Sequence, residues 1–259
     1  MQNSLNLGLV TNGSRRWTVF VLLAGLSLGL WLPGCQEAGI LFDAQEETIS
    51  REIPLDPYRS IWTYGLFEIR LVQDTVHKAV VKGKSSVVKN IHFSQDRRKV
   101  TVQEDKSNQW YQAGQKPLVE FHFTDLNYFR IEEPSRLYSA DTLHTSRLEV
   151  IVANELSEVD LLLDAGYFYL ENWTTNTGRF SLTGRCRDFE MKLCGSGTLK
   201  AKGLEVGNAN IVQKSMGDAY ITVTDTLEAR STGSGHIYYF GEPQKIIFTQ
   251  KASGGLIGL

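Results

Sequence analysis

Five glycines in the last third of the chain, Gly178, Gly197, Gly217, Gly235 and Gly254, follow one another at intervals of 19, 20, 18 and 19 residues. A period of this size marks a solenoid, whose repeats are single coils that cannot bury their apolar faces alone and must stack. The setting of the glycines repeats too. A small residue precedes four of them, in Thr177, Ser196, Ser234 and Ser253, and the residues two and four places on are Phe180/Leu182, Leu199/Ala201, Ala219/Ile221 and Ile237/Tyr239. Alternation of that kind makes a strand with one buried face. A second alternating run follows in Phe189–Leu193, Leu227–Arg230 and Ile246–Thr249, while Leu204, Val206 and Ile211 share that part in the unit between. Glycine belongs at the bend because a corner turned in one or two residues needs either a positive φ or a missing side chain.

The chain therefore reads as all-β, a parallel β-helix or β-solenoid with coils of about 19 residues. With ~4.8 Å between paired strands, the five glycine-marked coils make a column on the order of 20–25 Å tall. Stacking aligns equivalent residues, so Phe180, Leu199, Ala219 and Ile237 should form one internal ladder. The preference of parallel crossovers for one hand points to a right-handed coil. Before residue 164 the glycine marks fade, but alternating runs continue at Leu66–Val72, Ala79–Lys84, Asn90–Phe93, Lys99–Gln103, Leu118–Phe123, Phe129–Ile131, Arg147–Val152 and Val159–Leu163. Residues 53–259 are thus expected to be a single β-solenoid domain. Within it, the polar stretch Asp105–Gly114 carries Trp110 and Tyr111 and reads as a hairpin or longer loop, the candidate ligand-contact loop of the chain.

At the other end, Arg15 and Arg16 precede an uncharged apolar run, Trp17 to Leu32, which closes on Leu32-Pro33-Gly34-Cys35. A charged start, a short hydrophobic core and a small-residue cleavage site, in that order, read as an export signal. Leu32, Gly34 and Cys35 further resemble the bacterial lipobox, with proline in place of the usual small residue before Gly34. The resemblance implies residues 1–34 as a lipoprotein signal peptide and Cys35 as the acylated residue; an ordinary signal peptide and a retained anchor helix are the alternatives. Two or three acyl chains hold a protein stably to a membrane where one is marginal. Residues 35–52, rich in Gln and Glu, read as the tether. Cleavage removes Arg15 and Arg16 and takes the net charge from −2 to −4, which gives no reason to expect a nucleic-acid partner.

Chemistry-bearing patterns are sparse. Parallel β-helices can present carboxylates and basic residues along a groove, and Asp160, Asp164, Asp188, Asp218, Asp225, Arg179, Arg185 and Arg187 are the candidates here. Glycoside hydrolysis needs two carboxylates facing one cleft at roughly 5–9.5 Å, and Asp164 and Asp188 fall in different phases of their coils. The five histidines show no metal-ligand spacing; His92 and His122 lie between apolar neighbours and point outward, where two ligands would make half a site. No phosphate-binding G-x-x-x-x-G-K-[ST] loop occurs, Ser196 and Ser234 lie in G-S-G corners without a nucleophile elbow, and no cofactor is expected. Cys186 and Cys194 flank the strand Phe189–Leu193, roughly 20 Å or more apart if extended, whereas a disulfide needs Cα atoms within about 7 Å. Two free thiols follow. Asp74-Thr75-Val76, Asp141-Thr142-Leu143 and Asp225-Thr226-Leu227 fit a D-[ST]-aliphatic pattern used for O-glycosylation in some Gram-negative bacteria.

From about Ile61 to Leu259 the pattern resembles the putative auto-transporter adhesin, head GIN domain family of bacterial envelope proteins. The residues that carry the resemblance are Trp62 to Val72, Val100-Thr101-Val102, Phe121 to Ile131, Gly195-Ser196-Gly197, Gly233-Ser234-Gly235 and Ser253-Gly254-Gly255. Met216 departs from it, standing where the family pattern has a small residue. The resemblance implies a β-helical lipoprotein or secreted protein without an assigned reaction. The leading functional expectation is a lipid-anchored protein of the bacterial cell envelope, at the outer membrane, whose stacked β surface binds a glycan, matrix or envelope-protein ligand. Outward Tyr167, Tyr169, Tyr220 and Tyr238 favour it, with Tyr220 and Tyr238 neighbours if adjacent coils align. A polysaccharide-active β-helix enzyme and a periplasmic structural or signalling partner are the rival expectations.

Overall fold

The computed structural model describes residues 47–105, 116–173 and 176–259. Strands make up 66% of the described residues, helix almost none, and they wind into a β-solenoid of about 6 turns. One coil shows how the sequence is read. In β13 (Thr198–Gln213) the buried residues are Leu199 and Ala201, then Leu204 and Val206, then Ala209, Ile211 and Gln213, with exposed or half-buried residues between them. The coil thus has three straight sides, each alternating, and the phase resets at the bends after Ala201 and Val206.

Neighbouring coils repeat the plan in register. β11 (Glu158–Asn172), β12 (Arg179–Leu193), β13 and β14 (Ala219–Ser231) are parallel, and β14 pairs with β15 (Ile237–Phe240) on the first side and β16 (Lys245–Gln250) on the third. β15 pairs in turn with β17 (Leu256–Gly258). Phe180 opposes Leu199, Leu199 opposes Ala219 and Ala219 opposes Ile237, so the internal ladder expected from the glycine period is present. It also extends below the glycine-marked coils through Val159 to Leu137 of β9 (Arg136–Ser139), Ile69 of β3 (Glu68–Gln73) and Val119 of β7 (Leu118–Phe123). Every member from Val119 to Ile237 is at most 1% exposed, which gives the column one continuous apolar axis.

The marked glycines serve close approach rather than unusual backbone. A Cβ at Gly178 would stand 2.1 Å from the Ser157 carbonyl oxygen, one at Gly217 2.5 Å from that of Gly197, and those at Gly235 and Gly254 2.1 Å from the carbonyls of Gly217 and Gly235. None of these four has a positive φ. Of the two reasons the sequence allows for a corner glycine, the missing side chain is therefore the operative one. Polar side chains complete the corner from inside. Asn176 donates to the Asn154 carbonyl at 2.8 Å and accepts from the Gly178 amide at 2.6 Å, Asn172 pairs with both backbone groups of Cys194, and Ser215 donates to Gly197 O at 2.7 Å. These residues are buried, and the bonds supply partners to backbone groups that would otherwise be desolvated alone. Cys186 and Cys194 are buried free thiols, and burial pushes Cys186 up to about 11.

The first third departs from a simple stack. On the third side, β2 (Ser60–Tyr64) lies between β6 (Lys99–Glu104) and β8 (Tyr128–Ile131); on the first side, β3 lies between β7 and β9. The coil made first in the chain is therefore second in space, and the chain goes out to build the terminal coil before returning to β8. β8 then hands the third side on to β10 (Leu143–Val152), which pairs with β11. Over the terminal coil sits an antiparallel cap that alternation does not distinguish from a coil. β5 (Ile91–Asp96) pairs with β6, β4 (Lys78–Lys84) with β7, and β1 (Thr48–Pro54) with β4, all antiparallel. The short helix α1 (Ser85–Lys89) inserts Val87 and Val88. Buried Glu120 on β7 ties cap to column, accepting from Lys82 of β4 at 2.7 Å and Arg70 of β3 at 3.0 Å. β1 takes up residues 48–52 of the stretch expected to be tether.

Candidate functional site

Because the coils are in register, outward side chains form rows as regular as the buried ones. On the third side, Trp62 of β2 stands between two cations: Lys99 Nζ at 5.1 Å from its ring centroid and the Arg130 guanidinium at 5.1 Å. Arg130 also lies 5.4 Å from the ring of Trp173, at the corner that follows β11, while its Nε donates to Glu132 at 2.6 Å. Lys99, Trp62, Arg130 and Trp173 thus alternate cation and indole along the column axis. Tyr128 packs beside Trp62 with centroids 6.1 Å apart. Farther along, Arg147 lies 4.2 Å over Tyr167 and bonds Glu149, and Lys192 lies 5.4 Å over Tyr169 and 3.5 Å from Glu171. The Tyr167 hydroxyl donates to Glu190 at 3.0 Å. Partial burial, together with the Glu171 bond, pushes Tyr169 up to about 12, so both tyrosines present neutral hydroxyls at neutral pH.

Tyr220 and Tyr238, singled out in the sequence, meet as expected. Their rings stack with centroids 4.8 Å apart and 9° between planes, and His236 meets Tyr238 edge-on at 6.0 Å. They stand on the first side near the column's end, whereas Tyr167 and Tyr169 stand on the third. The four tyrosines belong to two surfaces, not one. Of the remaining candidates, Thr75 is exposed, with its amide donating to Asp74 at 2.6 Å, and Thr142 and Thr226 are half-buried. Cys35, Trp110 and Tyr111 lie outside the described residues.

Three of the five carboxylates weighed for hydrolysis, Asp164, Asp188 and Asp218, are engaged elsewhere. Asp164 accepts from Arg185 at 2.7 and 2.9 Å and lies 3.0 Å from His144; the Arg185 bonds hold its carboxyl down to about 2. Asp188 is shared by Arg187 and Asn208, and Asp218 accepts the His236 amide. His92 and His122 sit on β5 and β7, which are not neighbours, and His122 bonds Asp74 at 3.1 Å. Among the described residues no three His, Cys, Asp or Glu side chains gather in a ligating arrangement.

Sequence reasoning missed the Trp62, Tyr128, Arg130 and Trp173 cluster. Alternation in Ile61-Trp62-Thr63-Tyr64 already places Trp62 outward, but its neighbours come from β6 and β8, and that pairing is not written in the chain order.

A capped parallel β-solenoid that holds aromatic and charged residues in outward rows is a scaffold for surface recognition. Residues 57–243 match the family described as putative auto-transporter adhesin, head GIN domain, and the chain belongs to that family. Among solved structures, a putative adhesin from Bacteroides fragilis is 18% identical with a TM-score of 0.75, covering 82% of this chain and 97% of its own. A putative lipid binding protein from Parabacteroides distasonis is 15% identical with a TM-score of 0.63, covering 82% and 97%. A putative adhesin from Parabacteroides merdae is 16% identical with a TM-score of 0.52, covering 82% and 96%. At these identities the likeness is one of fold. No curated protein matches the sequence. Among the described residues no helix is long and apolar enough to cross a membrane.

Proposed function

We propose that the protein is a lipid-anchored cell-envelope protein with a non-catalytic, adhesin-like role, binding a glycan, matrix or envelope-protein ligand through the third side of its column. The observation that carries this reading is the alternating row of Lys99, Trp62, Arg130 and Trp173 beside Tyr128. Rigid aromatic rings give large contact area at low entropic cost, and the flanking cations and carboxylates offer hydrogen bonds at fixed positions. Family membership supports the adhesin-like role and the envelope location. Cys35 is the proposed acylation site, and the amphipathic Tyr220/Tyr238 stack and the Trp110/Tyr111 stretch are secondary contact candidates. Thr75, Thr142 and Thr226 are proposed O-glycosylation sites, tested by mass shifts in their peptides from native protein.

The decisive experiment is a binding panel of acidic and neutral glycans, matrix proteins and lipid vesicles, read for the wild type, Trp62→Ala with Tyr128→Ala, and Tyr220→Ala with Tyr238→Ala. Loss of binding of tenfold or more in the first pair, with unchanged melting, is the expected result; full retention rejects the third side as the contact. Vesicle binding without any glycan or protein binding would shift the ligand class to lipid, in keeping with the description of the Parabacteroides distasonis neighbour. Release of reducing ends from any glycan would establish the enzyme reading instead. Protease shaving of intact cells separates the two locations: a domain digested only after the outer membrane is broken faces the periplasm and serves an internal partner.

A further inference from the structure

The two ends of the column are finished differently. The third-side ladder starts at Val100 and runs through Ile61, Phe129, Val150, Leu170, Met191, Ile211 and Ala229 to Phe248. Val100 is 0% exposed under the antiparallel cap, but Phe248 is only partly buried. The adjacent ladder is more telling. Leu148, Phe168, Phe189, Ala209 and Leu227 are exposed by no more than 3%, while Ile246, next in line and pointing inward like them, is 43% exposed. Outward Ile247 adds 40%. Among the described residues β16 pairs with β14 alone and β17 with β15 alone, so each offers a second strand edge without a partner.

From this asymmetry we infer that the open coil pairs with the open coil of a second copy, forming an end-to-end two-fold dimer through β16. An uncovered apolar edge strand is a template for another strand. The other end offers β16 no matching apolar ladder, because the cap already covers Val100 there; the closed, isologous arrangement is the one that buries Ile246 and Phe248 against apolar partners. The sequence of β16 suits self-pairing. In an antiparallel register centred on Ile247, inward Ile246 of one copy faces inward Phe248 of the other, outward Lys245 faces outward Thr249, and Ile247 faces its own counterpart. Each apolar inward residue thereby gains the neighbour that the next coil supplies elsewhere, and no lysine opposes a lysine. The same register brings exposed Glu242 of one copy beside exposed Lys251 of the other, an attractive pairing.

The test is the mass of the full-length protein in solution, with cross-linking as an independent readout. The wild type is expected at twice the chain mass, and Ile247→Asp or Ile246→Lys at the chain mass with unchanged circular dichroism and melting. Ile247→Cys should oxidise to a disulfide-linked dimer, since directly opposed strand residues have Cα atoms about 4.5–5.5 Å apart. Thr249→Cys, which faces Lys245, should not. A monomeric wild type, as expected if an unrelated protein or strand covers the open coil, overturns the inference; so does a dimer that survives both substitutions, or equal cross-linking at positions 247 and 249. The glycan, matrix and vesicle readouts on the third-side aromatics are separate from this mass, so either proposal fails without the other.

Discussion

The capped and open ends of the column are built on the same ladders and reach opposite outcomes. At the first, Val100 is covered by β5, which lays Phe93 opposite Val102, and α1 adds buried Val87 and Val88 to the same core; at the second, Ile246 and Phe248 complete their ladders against nothing among the described residues. The contrast shows that burial in a solenoid comes from the coil above as much as from the residue itself. A further parallel coil would only present the same ladders one step farther on, whereas the cap lays the apolar side chains of Val87, Val88 and Phe93 into the core at that end.

Mutations at matched positions put a scale on this contrast. The largest effect is expected for Phe180→Ala, 0% exposed in the middle of the first-side ladder. It should cost about 3–5 kcal/mol in chemical denaturation, against no more than about 1 kcal/mol for Phe248→Ala when both are read in the Ile247→Asp background, where the last coil is left open. Equal losses in that background would mean that something other than a second copy covers the last coil. Next come the corner glycines. Gly235→Ala drives a methyl to 2.1 Å from the Gly217 carbonyl, while the nearest atom to a Cβ at Gly255 is His236 Nδ1 at 3.5 Å. The first should cost roughly 1–3 kcal/mol by overpacking and the second about 0.5 kcal/mol or less. If Gly255→Ala proves as costly, close approach between coils is not what selects glycine.

The smallest effect is electrostatic. Asp164, held down to about 2 by Arg185, binds a proton more weakly folded than unfolded. Its contribution to stability is therefore complete above the ordinary carboxylate value, about 3.9, and is lost as pH falls from there through about 2. Among the described residues no ion pair reaches the last coil, 237–259. Hydrogen exchange followed from pH 5 to pH 2 should thus show protection falling between β10 and β12 while the last coil keeps its own. Arg185→Gln should flatten that dependence. A uniform change along the column would assign the acid response to other carboxylates.

Much of this was legible before any coordinates. The glycine interval gave the coil length, alternation gave the buried face, and together they placed Phe180, Leu199, Ala219 and Ile237 on one ladder and Tyr220 beside Tyr238. Periodicity works there because successive coils are successive in sequence. It fails between Thr48 and Ile131, where β2 is flanked by strands that begin more than thirty residues later, and where antiparallel and parallel strands bury alternate residues alike. Trp62, Tyr128 and Arg130 fall in that region, so they and Trp173 were visible one by one but not as neighbours. The two reasons for a corner glycine likewise look the same in one dimension; only the carbonyl of the coil below, 2.1 Å from where a Cβ would stand, separates them.

Threading β2 and β3 between later strands gives the molecule a direction of growth. An insertion of one repeat length among the first strands would have to be accommodated by partners on both sides at once, since β2 and β3 each have two neighbours distant in sequence. Past β12, among the described residues, each coil pairs strand on strand only with the one before and the one after. In-frame duplication of the segment from Gly197 to Met216, one corner to the next, therefore adds a storey without disturbing the foundations, and lengthening or shortening of the gene is accommodated most readily at its distal repeats.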